Sequence, residues 1–412
     1  MRPSFRAILF LIAAIALLAA CVTPEELDWR WRTATLDMRP PVGPDAIGSL
    51  TVAGRVDATA FTDDALWALV AVPTRRSLPV NRVVRIDLAS NRFNDLFAVD
   101  GFAAGAMTAG HDAIWVAEGH GGTKVHRIDP RTQRIVASFA FPRNPVALAV
   151  DDNAVWVIAA SEAPRRAGIL LRVDGLALSR IDPVANAIVE TIPLPVPDAR
   201  GLTSGSIATT AGAVWIATPA GEVVRVDPRT KRIVASLPLP GGNHGRRASF
   251  QLATSAGGLY LVRQVKERAD LPAAWEALRT TAWAIDPGGN RLASEPFQFA
   301  SEGVVLFLGE ETAWLGSTRV DAIVQAAPGT FRAAAAPLKI GYPVYALTAG
   351  RGSLWAFSGA RISRGDSRDI TWITRVRIAP DPPDTDGDGQ SQPREPASDE
   401  PRGGPQQIAR SL

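Results

Sequence analysis

A short phrase returns along this chain: a turn of small or acidic residues, an aromatic strand, a gap, then a strand that closes on Ile or Val followed by Asp-Pro. One copy runs Asp152-Asn153-Ala154-Val155-Trp156-Val157 and closes at Ser179-Arg180-Ile181-Asp182-Pro183. Another runs Ala213-Val214-Trp215-Ile216-Ala217 and closes at Arg225-Val226-Asp227-Pro228-Arg229-Thr230. Self-similarity at a period of roughly 40 to 60 residues is the mark of a propeller, in which each repeat is one small sheet unable to bury its own faces.

The aromatic position recurs at Trp67, Trp115, Trp156, Trp215, Tyr260, Trp314 and Trp355, which predicts seven blades. Before each comes a turn and a short strand of small apolar residues, such as Ala147-Leu148-Ala149-Val150. After it come a third strand, closing on Asp87, Asp129, Asp182, Asp227 or Asp286, and a fourth, as in Ile135-Val136-Ala137-Ser138-Phe139. The expected fold is therefore all-β: a seven-bladed β-propeller of four-stranded blades. The sixth unit is degenerate, with Ala327-Pro328-Gly329 in place of the Asp-Pro turn, and the seventh runs out before any outer strand. Ile47 to Val52 is an unassigned strand near the start of the chain, and it is expected to supply the missing edge and close the ring. The tryptophans are read as core between neighbouring blades. The aspartates of the Asp-Pro-Arg-Thr steps are read as turn makers, since Asp bonds its own backbone and Pro fixes φ.

The ends have a different character. Residues 1–20 start with Arg2 and Arg6, run through an apolar stretch and finish Leu18-Ala19-Ala20, the pattern of an export signal. Leu-Ala-Ala-Cys resembles the lipobox of bacterial lipoproteins, which implies cleavage before Cys21 and lipidation there. Val22 follows it, which in the lipoprotein pattern implies the outer membrane, with the protein facing the periplasm. Cys21 is also the one cysteine of the chain, so no internal disulfide is available to the domain; 412 residues with 46% hydrophobic content can fold around a core without one. Residues 21–46 read as a tether, 47–380 as the propeller, and 381–412, rich in Pro, Asp, Gly, Gln and Ser, as a disordered tail. Within that tail Asp384, Asp386, Asp388, Gly389 and Glu395 match the spacing of a Ca²⁺ loop. Prolines rather than helices flank it and Ser391 fills the usual apolar slot, so a solvated acidic tail is the reading set against calcium binding.

The blade consensus, a small strand, a turn, Trp-Val-Ala, a gap and then Arg-Ile-Asp-Pro-x-Thr-x-Arg-Ile-Val-Ala, resembles the YVTN-type seven-bladed propellers and, more loosely, the streptogramin B lyase-like and NHL-like propellers. The resemblance covers roughly Ile47 to Pro380 and implies the fold far more than an activity. Streptogramin lyases carry a His, Glu, His set on one face, and Trp115-Val116-Ala117-Glu118 with His120 is the one approach to it in this sequence. Lipid-anchored propellers also serve as scaffolds in outer-membrane protein assembly, an analogy of anchor and architecture rather than of blade motif.

Two kinds of loop share a face in four-stranded blades, those between the second and third strands and those joining blade to blade. The first kind holds Arg75, Arg76, Gly119 to Lys124, Arg165, Arg166, Lys266 to Arg268 and Arg319; the second holds Arg143, Arg200, Arg246 and Arg247. Scattered acids, Glu118 among them, are outnumbered there. Such a ring would attract anions over a Debye length of about 8 Å, and arginine's planar fork suits carboxylate and phosphate. With a net charge of only +3 the argument rests on clustering. The longest insertion, Lys266 to Thr281, has Pro272, Trp275 and Leu278 at helical spacing and reads as a short helix with an aromatic anchor.

No Gly-rich phosphate loop, Cys-x-x-Cys pair or nucleophile elbow occurs, and no cofactor is expected. The function this implies is a non-catalytic lipoprotein of the envelope, a monomer that offers a basic loop face with Trp275 to an acidic partner or ligand. The alternative is a lyase or lactonase-type enzyme with Glu118, His120 and His244 at the central mouth. Nucleic-acid binding, suggested by a sequence pI of about 9.3, conflicts with export.

Overall fold

The computed structural model describes residues 43–73, 78–101, 105–160, 176–194, 206–218, 220–240, 248–255, 258–266, 278–299, 303–309, 311–363 and 366–378. They form seven antiparallel sheets. Blade one is Arg55–Phe61, Ala65–Val72, Val80–Asp87 and Phe93–Val99; blade two is Ala106–Gly110, Ala113–Ala117, Lys124–Asp129 and Arg134–Ala140. Blade three is Asn144–Asp151, Ala154–Ala160, Leu176–Asp182 and Ala187–Leu194; blade four is Ile207–Thr210, Ala213–Thr218, Glu222–Asp227 and Arg232–Pro238. Blade five is Ala248–Ser255, Gly258–Lys266 and Leu278–Asp286, with an outer edge broken into Arg291–Leu292 and Phe297–Gln298. Blade six is Val304–Leu308, Ala313–Ser317, Ala322–Ala326 and the two-residue Leu338–Lys339.

Blade seven joins the two ends of the chain. Ala346–Gly350, Ser353–Ser363 and Asp366–Arg377 supply three strands, and Ala46–Ala53 is the fourth, antiparallel to Asp366–Arg377 with Leu50 opposite Ile373. The ring closes through the N-terminal strand, as the spare segment at Ile47 to Val52 predicts.

The core is divided, one apolar cluster to each of the seven seams between blades. Each recurrent aromatic sits on a second strand and packs toward the following blade: Trp67 in the seam between one and two, Trp115 between two and three, and so around to Trp355 between seven and one. All seven are buried. A second strand is covered on both faces by its neighbours and therefore reads as an unbroken apolar run: every residue of Ala65–Val72 is buried. An outer strand has one blade edge in water, and Arg134–Ala140 is mostly exposed.

Turn chemistry follows the sequence closely. His111 and Asp112, Ala211 and Gly212, and Arg351 and Gly352 have φ between 51° and 69°, the left-handed pair of a type I′ hairpin. In the outer turns Asp129 accepts from the amides of Arg131 and Thr132, Asp182 from Val184 and Ala185, and Asp286 from Gly288 and Gly289. The fourth residue after the Asp closes the turn in the left-handed region, as at Asn91, Gln133, Asn186, Lys231 and Asn290.

One expectation needs correction. Leu278 and Arg279 open a strand paired with Lys266 and Val265, so the proposed helix cannot include them. The ladder continues through Thr280 and Thr281, because strands two and three of blade five run longer than those of blades one to four and six. Trp275 lies outside the described residues.

Candidate functional site

Antiparallel order fixes which connections share a face. In every blade strands one and two meet at one end, strands two and three at the other, and strand four leaves from that second end toward the next blade. The connections after strand two and between blades thus form one face. Of the residues assigned to it from sequence, Arg75, Arg76, Arg165, Arg166, Arg200, Arg246, Arg247 and His244 lie outside the described residues, as do Cys21, Asp384, Asp386, Asp388 and Glu395. Arg143 is half-buried just before blade three, and Arg319 is exposed after the second strand of blade six.

Glu118 is described fully, and it is buried rather than open at the mouth. It follows Trp115 by three residues and is 1% exposed. Oε2 accepts from the amides of Thr123 and Lys124, both at 2.8 Å, and Oε1 meets His126 Nε2 at 2.8 Å. His126 Nδ1 in turn lies 2.8 Å from Ser138 Oγ on the outer strand. Burial works to raise the Glu118 carboxyl, but the hydrogen bonds from His126, Lys124 and Thr123 prevail and hold it below the ordinary carboxylate range. The covering loop needs a glycine at Gly122, where a Cβ would lie 2.3 Å from that of Glu118. Asn81 of blade one donates to the Glu118 carbonyl at 3.2 Å.

An acid, an imidazole and a hydroxyl in line resemble a catalytic relay in bond order, but the pattern has a plainer counterpart next door. Ser179 and Thr191 occupy the same cross-strand positions in blade three, 3.0 Å apart. The Glu118, His126 and Ser138 chain is that cross-strand polar pair extended inward to tie down a loop. The signal for this pairing in the sequence is that an acid and an imidazole replace small or apolar residues at matching places in one blade. His120 is half-buried in the same loop. Among the described residues no group of three or more His, Cys, Asp or Glu side chains is placed to hold a metal ion.

The space on the axis is a cavity of about 400 Å³. First strands of neighbouring blades touch one another around the axis at six of the seven seams, and those of blades one, two, five, six and seven line the cavity, mostly with their starting halves. It therefore lies toward the face that carries the blade-to-blade connections. Tyr345 borders it just before blade seven. Its hydroxyl accepts from the Val56 amide at 3.0 Å and meets Thr371 Oγ1 at 2.9 Å, while Thr371 Oγ1 donates to the Gly54 carbonyl at 2.7 Å. Burial pushes that phenol up to about 12, against the hydrogen bonds of Thr371 and Val56.

No protein-family model matches the chain, and no curated protein matches it. Among solved structures 1182 chains match, too many for the likeness to single out a function. One is "The crystal structure of BamB from Moraxella catarrhalis", 13% identical, with a TM-score of 0.45, covering 82% of this chain and 94% of that one. Identity and score at that level carry no argument about activity or partner. The chain is a seven-bladed β-propeller on the strength of its own strand pairings.

Proposed function

We propose that this protein is a lipid-anchored component of the cell envelope whose propeller acts as a non-catalytic binding or scaffolding module. Cys21 carries the anchor, and the protein faces the periplasm from the outer membrane. The binding surface is the face of second-to-third and blade-to-blade connections, with Arg75, Arg76, Arg143, Arg165, Arg166, Arg200, Arg246, Arg247 and Trp275, and the partner is acidic. A resemblance to YVTN-type propellers belongs to the same reading.

The observation that supports it is the strand order. Because both kinds of connection leave each sheet at the same end, arginines separated by tens of residues in sequence belong to connections of one face, where their fields add. The burial of Glu118 within its own blade gives the alternative, an enzyme at the mouth, no support from that residue.

The test is capture from solubilised envelope with the wild-type chain and with Arg246→Glu/Arg247→Glu. A specific acidic protein held by the wild type, released by added salt and lost on the double reversal is the expected result. Capture of the same protein, undiminished by the reversal and insensitive to salt, would remove the basic face from the account.

A further inference from the structure

We propose that the axial cavity binds a small, neutral, polyhydroxylated molecule, a monosaccharide or a polyol of similar size, through Asp57. In blade one the pairing of the first two strands slips between Val56 and Ala58, which leaves Asp57 as the extra residue of a bulge. A bulge takes a side chain out of the strand's alternation and re-aims it. Here the backbone leading into it is clamped at two points, Val56 by the Tyr345 hydroxyl and Gly54 by Thr371, so the approach to the bulge is fixed from blade seven rather than left to the strand.

The Asp57 side chain borders the cavity and is 7% exposed. Oδ1 accepts from Arg55 Nε at 2.7 Å; Oδ2 is shut off from bulk water and has no hydrogen-bond partner among the described residues. A carboxylate oxygen held this way bears the desolvation penalty with no compensating bond. Since the terminal torsion of a carboxyl group is soft, a small turn presents that oxygen to a donor entering the cavity.

The rest of the wall decides what the donor belongs to. Thr59 comes from the same strand, Ser249, Gln251 and Gln264 from blade five, and Thr348 from blade seven. Gln264 spends its amide nitrogen on the Val304 carbonyl at 3.3 Å, while the others bring hydroxyls and a second amide. An ammonium ligand only donates, and would leave the Gln251 amide nitrogen unanswered. A phosphate is chiefly an acceptor, and its negative charge would face Asp57. Hydroxyl groups do both, and Arg55 already balances the charge of Asp57, so a neutral ligand suffices. The apolar part of the wall, Val305 and Phe307 of blade six with Met107, Phe250, Leu347 and Phe357, suits the C–H faces of a sugar ring, and the volume is that of an ordinary small-molecule site.

Titration calorimetry on the full chain tests this with glucose, galactose, N-acetylglucosamine and myo-inositol, each to about 20 mM, beside propylammonium and inorganic phosphate. Saturable binding of at least one polyol is expected, weakened about tenfold or more by Asp57→Ala and also by Gln251→Ala, with phosphate and the ammonium silent. Gln251→Ala leaves the bulge and its clamp untouched, so it carries the same expectation if Asp57→Ala unfolds. No binding by any of the four polyols, or binding that both variants leave unchanged, or binding of the ammonium or phosphate alone, overturns the proposal. The outcome is independent of the basic loop face, whose own test measures a different surface.

Discussion

Arg127, Arg225 and Arg375 stand directly opposite the tryptophans of their blades, and each does two things at once. The guanidinium lies over the indole, 5.4 Å from Trp115, 5.6 Å from Trp215 and 5.2 Å from Trp355. Its far edge donates into the outer turn of the following blade: Arg127 to the Pro183 carbonyl and Asn186, Arg225 to Asn290, Arg375 to the Leu88 carbonyl and Asn91. The acceptors Asn91, Asn186 and Asn290 are left-handed residues, and asparagine tolerates that conformation while offering an oxygen. Where the next blade has Lys231 in that place, Arg180 turns back to the Asn153 carbonyl of its own blade, and where it has Gln133, Arg85 bonds Asp64. Arg127→Lys keeps the charge but loses the planar fork, and is expected to cost about 1 kcal/mol in urea unfolding. Asn186→Ala should cost a similar amount, and a double-mutant cycle should show a coupling near 1 kcal/mol. Strict additivity would mean the contact contributes nothing. The arginine was legible in the repeated Arg-Ile-Asp-Pro phrase, but its partner was not, because it stands a whole blade away and no local spacing rule connects the two.

At the scale of the strand and turn, the outer edges show how a propeller keeps its rim from pairing with other chains. Outer strands of blades two, three and four each slip register by one residue, at Val136, Val189 and Val234, and those valines point to solvent, 54%, 46% and 48% exposed. A bulge there interrupts the ladder that another strand would need. The turns feeding these strands give the fold a pH dependence with a definite sign. Asp182 is held below the usual carboxylate range by the amides of Ala185 and Val184, and Asp87, Asp129, Asp227 and Asp286 are likewise lowered, each chiefly by a backbone amide of its own turn. Glu118 shifts in the same direction. A group with a folded pKa below its unfolded value, about 3.9 for Asp, contributes stability that is present above that value and lost as pH falls through the folded one. The melting temperature is therefore expected to hold from about pH 8 to 5 and to fall below about pH 4. Asp182→Asn with Asp227→Asn keeps one acceptor oxygen in each turn, enough for the backbone amides that Oδ1 takes, and should flatten part of that fall. An acid limb unchanged by the pair would assign it to other carboxylates. The Asp-Pro turns were readable from four-residue phrases, since their hydrogen bonds reach only two or three residues.

For the whole molecule the decisive element is the N-terminal strand Ala46–Ala53. It pairs with the last described strand, Asp366–Arg377, and Val52, Ala53 and Val56 enter the same apolar seam as Trp355 and Phe357. Deletion of residues 47–54 removes the edge of blade seven and opens the seam to blade one together. The expected result is loss of the cooperative thermal transition followed by circular dichroism; a deleted chain that melts as the full one does would show that the ring holds without its clasp. Blade number, strand order and this closure were all legible in the sequence, because each follows from a repeat whose turns and aromatic strands are encoded locally. Only the tertiary structure decided that Glu118 is spent inside its own blade, that arginines rivet neighbouring blades, and that Asp57 faces the axis among side chains from blades five and seven. Those arrangements depend on which distant segments the ring brings side by side, and on a one-residue slip in a ladder, and neither leaves a periodic trace along the chain.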